Sequence, residues 1–90
     1  MHVYGFQITP GSDDALGYCH DSAAAYQKAL DHRREIKRVA APSRLDPTAV
    51  YEVALAEVTA ETLVAVLNAR ESASDVLVLS KRLLGLLTED

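Results

Sequence analysis

The chain has 90 residues, of which 49% are hydrophobic and 24% charged, and a formal net charge of -4 at pH 7. That length allows one domain over residues 1–90 with one core burying about 60 to 65% of the unfolded chain's surface, and the ordinary composition excludes a disordered or fibrous protein. The acidic balance opposes non-specific binding to nucleic acid.

The first element is a strand. Tyr4, Phe6 and Ile8 share one face at period two within residues 2–9, as a half-buried strand requires. Pro10, Gly11, Ser12, Asp13 and Asp14 are turn formers and end it. The segment Gly17, Tyr18, Cys19, His20 is long enough for a short strand returning along the first as a hairpin.

A helix follows. Asp21 or Ser22 offers a side-chain oxygen to the free amides of the first turn, and Ala23, Ala24 and Ala25 supply high helix propensity. Ala23, Tyr26, Ala29, Leu30 and Ile36 form its apolar stripe. Pro42 and Pro47 bias the residues before them away from the α region, so the helix is expected to stop near Val39 to Ala41. Residues 50–58 then alternate through Tyr51, Val53 and Leu55 and read as a strand. Thr59 caps a second helix over residues 60–68, with Leu63, Val66 and Leu67 on one face and Asn68 at its stop. Residues 76–87 fit either a strand or a helical stripe through Val76, Leu79, Leu83 and Leu87. A strand over at least Val76 to Leu79 is preferred, because a third helix would leave the sheet short of partners.

The element order predicts an α+β fold: a two-layer β-α-β-α-β unit with an extra short hairpin strand, its helices on one face of a mainly antiparallel sheet. One cysteine permits no intramolecular disulfide, which fits a reducing, cytoplasmic setting better than a small secreted scaffold. The start of the chain lacks a basic segment followed by an apolar run, and no stretch approaches the roughly 18 apolar residues of a membrane span, so neither export nor membrane insertion is expected.

No catalytic constellation stands out. Cys19 and His20 are adjacent, so on a strand they point to opposite faces and make a poor nucleophile and base; a structural Cys19 and a surface His20 are expected. His2, His20 and His32 lack metal-ligand spacing, and no phosphate loop, nucleophile elbow or H-E-x-x-H is present. Neither enzymatic activity nor a cofactor or metal is expected.

Charge is unevenly distributed along the chain. Residues 22–44 carry +4, residues 1–21 carry -3, and residues 45–90 carry -5. Arg33, Arg34, Lys37 and Arg38 read either as a basic helix surface for phosphates or an acidic partner, or as a solvated face favoured by the helix dipole. Glu57 and Glu61, among the acids of the second half, read either as a phosphate-like array facing a cationic channel or as a solubilising surface. Tyr4, Phe6, Tyr51, Leu83, Leu84, Leu86 and Leu87 either complete the core or leave a leucine-rich edge near the C-terminus as a dimer seam or partner surface.

The order Val3-Tyr4-Gly5-Phe6, the alanine-rich basic helix, Val50-Tyr51-Glu52-Val53, and Thr59 to Asn68 resembles small accessory proteins of phages and prophages. The resemblance lies in texture over most of the chain, without a signature motif, and carries no functional residue across. Some members of that size class are anti-CRISPR proteins, which bind a CRISPR effector complex. The resemblance therefore implies a non-enzymatic interaction module that inhibits such a complex, with a host protein or ribonucleoprotein as partner. The partner surface is expected at Arg33, Arg34, Lys37 and Arg38 or at Glu57 and Glu61. The alternatives are a small nucleic-acid-binding regulator using the basic helix and a self-associating phage accessory protein.

Overall fold

In the computed structural model, which describes residues 1–68 and 76–88, strand β1 (His2–Gln7) turns through the Pro10–Gly11 corner into β2 (Leu16–Cys19). Gly11 takes the positive φ of 85° that this corner needs, and the amide of Ser12 donates to the carbonyl of Thr9 at 2.9 Å. The hairpin is antiparallel, with Phe6 opposite Gly17.

Helix α1 (Ser22–Ala40) begins where Asp21 stays extended and its carboxylate accepts from the Ala24 amide at 2.7 Å. It ends with Ala41 in the left-handed region at φ 44°, whose amide closes on the Lys37 carbonyl one residue before Pro42. The buried stripe of α1 is Ala25, Ala29 and Arg33, at four-residue spacing. Two alanines let the helix axis lie close to the sheet. Ala23, expected on that stripe, is exposed, while Tyr26, Leu30 and Ile36 flank it half-buried.

Strand β3 (Thr48–Leu55) starts two residues before the expected boundary. Helix α2 (Ala60–Asn68) coincides with the expected range, and the amide of Thr62 donates to the Thr59 hydroxyl at 3.2 Å while the Thr59 amide donates to the Thr62 hydroxyl at 2.8 Å, a reciprocal cap. Of the ambiguous last segment, Val78–Leu87 is strand β4 and Val76 and Leu77 form a helical turn before it.

The sheet order is β2-β1-β3-β4 with every pairing antiparallel, so the α+β expectation holds. Alternation splits β3 between two faces. Val50 points to α1 and joins Phe6, Ala25 and Ala29 in the core, bordered by Tyr4, Ile8, Cys19, Tyr26 and Leu87. Tyr51 and Val53 point to the opposite face. The helix layer differs from expectation in one respect: α1 packs on β1, β2, β3 and β4, whereas α2 has no buried residue.

Candidate interaction surface

A polar cluster lies on the sheet face away from α1. The Gln7 side chain accepts from the amides of Gly11 (3.0 Å) and Ala49 (2.8 Å) and donates to Asp13 Oδ1 at 2.7 Å. The same oxygen accepts from the Tyr51 hydroxyl at 2.8 Å, and Asp13 Oδ2 accepts from Lys81 Nζ at 2.6 Å. Lys81 also sits 4.5 Å from the centroid of the Tyr51 ring. Three donors stabilise the carboxylate, Lys81 foremost, and bring the Asp13 pKa down to about 2; burial and the Asp13 charge push the Tyr51 phenol up. The cluster ties the β1–β2 loop to β3 and β4. Each group in it is engaged by another, so it fastens the loop rather than offering an activated nucleophile or base. Asp13 read as a turn former in the sequence, and nothing in its spacing pointed 68 residues ahead to Lys81.

The four candidate cations do not form one surface. Arg33, expected on the basic face, is 1% exposed and lies beneath α1. Its position four residues after Ala29 puts it on the buried stripe, and its guanidinium donates to the Asp46 carbonyl, the Thr48 hydroxyl (3.0 Å) and the Thr88 carbonyl (3.4 Å). Arg38 is exposed but makes two hydrogen bonds to Glu35, at 2.6 and 3.1 Å, which lower the Glu35 pKa and raise that of Arg38. Arg34 and Lys37 are exposed. Burial of one arginine and pairing of another leave the outer face of α1 less basic than the sequence suggests.

Cys19 is half-buried against the core, while the His20 side chain is 94% exposed and 3.5 Å from Asp21. Among the described residues no group of three histidines, cysteines or acids is placed to hold a metal ion, and no helix is long and apolar enough to cross a membrane. A shallow cleft of about 470 Å³ runs between the β1–β2 corner and the end of α1, lined by Ile8, Pro10, His32, Ile36, Arg44 and Asp46 among others.

Large apolar side chains are exposed in two stretches, around α2 and along β4. Val58, Leu63, Val64 and Leu67 are all at least 51% exposed, Leu67 as much as 83%. Leu63, Val66 and Leu67 were expected to share one face of a helix that covers the sheet; Val66 is half-buried and the two leucines are exposed. On β4, Leu79, Leu83 and Leu86 are 69%, 51% and 55% exposed. Leu83 stands opposite Tyr51 and Leu86 opposite Ala49, both on the sheet face that α1 leaves open. Only Leu87 of the C-terminal leucines borders the core. Glu57 and Glu61, both exposed, flank the start of α2 and give its apolar face an acidic rim. Compared with protein-family models, curated proteins and solved structures, the chain matches none.

Proposed function

We propose that this chain is a non-enzymatic protein-interaction module that docks through the apolar surface of α2 and β4. One observation carries the reading: α2 is a capped, regular helix whose Leu63, Val64 and Leu67 stand in water. Scattered exposed apolar side chains are normal, but a helix with no fully buried residue, only Thr62 and Val66 being half-buried among its nine, gains little from packing, and short helices are marginal without it. A groove in a partner that accepts Leu63 and Leu67 at i and i+4 would supply the missing burial, with Glu57 and Glu61 meeting cations at its rim.

The resemblance to phage accessory proteins makes a CRISPR effector complex the first host assembly to try. Tagged chain should capture its partner from bacterial lysate, and the double variant Leu63→Glu/Leu67→Glu should lose that partner while keeping its circular dichroism spectrum. Capture by the double variant at the original level would overturn the α2 reading. Recovery of nucleic acid alone, lost when Arg34 and Lys37 are both replaced by glutamate, would replace it with the regulator alternative.

A further inference from the structure

We propose that the outer edge of β4 is the seam of a homodimer, in which the β4 strands of two copies pair antiparallel across a two-fold axis and join two four-stranded sheets into one of eight strands. The proposal rests on the interaction-module reading and names the occupant of one of its surfaces.

The two edges of the sheet are unlike. β2 is an edge of four residues, while β4 is an edge of ten, and among the described residues β3 is its one strand neighbour. A lone edge strand is usually protected by brevity, by proline or by charges that repel a neighbouring chain. Residues 78–87 contain no proline, and their two cations are each paired with an acid of the same chain: Lys81 with Asp13 at 2.6 Å and Arg82 with Glu52 at 3.1 Å. The pairing lowers their repulsion of a second copy. Register shifts opposite Val50/Tyr51 and Ala54/Leu55 bend β4 locally and are a protective device it retains.

An antiparallel strand is its own complement about a two-fold axis, so a second copy satisfies the β4 backbone with no further sequence requirement. Leu83 and Leu86 lie on the open sheet face beside the seam, where they would meet the same leucines of the second copy as cross-strand neighbours.

The test is sedimentation velocity on the untagged chain over a concentration series, with amide hydrogen exchange on the same samples. A mass of twice 9.8 kDa is expected at tens of micromolar, with β4 amides losing protection on dilution as the dimer dissociates. The variant Leu83→Lys/Leu86→Lys should be monomeric with an unchanged circular dichroism spectrum. A monomer at every concentration, or a dimer whose β4 protection does not change as it dissociates, overturns the proposal. The two readings fail separately: a monomer that still captures a host protein through α2 refutes the seam alone, and a β4 dimer that captures nothing refutes the host-partner reading alone.

Discussion

The tip of the Phe6 ring packs against Gly17 across the β1–β2 pair, so close that a β carbon on Gly17 would sit 2.4 Å from Phe6 Cζ. Phe6 is 7% exposed and is the largest member of the core cluster, so its ring has little freedom to retreat. Gly17→Ala should therefore destabilise the fold by about 1 to 3 kcal/mol, the usual cost of overpacking a filled core. Gly5 provides the control, because a β carbon there meets Leu16 and Tyr18 at an ordinary 3.5 Å. Gly5→Ala should change stability by less than about 1 kcal/mol in the same chemical denaturation series.

Acid should weaken the attachment of the β1–β2 loop. The Asp13 carboxyl titrates at about 2 in the folded chain, below its ordinary value near 3.8, so folding favours its charged form. The resulting stabilisation is present in full above about pH 4 and is lost as pH falls toward 2. The side chains of Asp13 and Lys81 are 45% and 37% exposed, so solvent screening limits the contribution to about 1 kcal/mol. Asp13→Asn should flatten the pH dependence of the unfolding midpoint between pH 4 and 2 and lower stability at pH 7 by a similar amount. An unchanged slope would show that the contact with Lys81 is not energetically coupled to folding.

The local rules of the sequence account for most of the fold. Asp21 caps α1, Ala41 before Pro42 ends it, Thr59 caps α2, and the period-two pattern of Tyr4 and Phe6 marks the core face of β1. The site was less legible because its features depend on long-range packing. A stripe drawn through apolar residues passed over Arg33, although Ala25 and Ala29 at four-residue spacing lead directly to it. Leu63, Val66 and Leu67 were placed on one face of α2, but helical spacing identifies a face without identifying what covers it, and the two leucines are exposed. The Asp13 cluster joins residues 7, 13, 51 and 81, and no local rule connects such distant positions.

The acidic rim of α2 should govern the rate of docking more than its final strength. Glu57 and Glu61 are exposed, and rim charges act chiefly on diffusional encounter. Glu57→Lys/Glu61→Lys should slow association with the captured partner by about tenfold at low ionic strength, with the difference shrinking as salt is added. Surface plasmon resonance at two salt concentrations separates this from Leu67→Ala, which should act mainly by speeding dissociation.

The buried guanidinium of Arg33 makes a prediction that separates a structural arginine from a phosphate contact. Its donors reach the Asp46 carbonyl and Thr48 hydroxyl at the start of β3 and the Thr88 carbonyl just beyond β4, so one side chain joins α1 to two distant segments. Lysine carries the same charge but has no planar fork, and a single ammonium cannot span these acceptors. Arg33→Lys should therefore cost about 1 to 2 kcal/mol, and Arg33→Ala about 3 kcal/mol or more, since it also leaves a cavity lined by unsatisfied carbonyls. A surface arginine contacting phosphate would behave in the opposite way, with Arg33→Lys neutral for stability and any effect confined to nucleic-acid affinity. Thermal unfolding of the two variants beside Arg34→Ala, which should move the midpoint by no more than a degree or two, distinguishes the two roles.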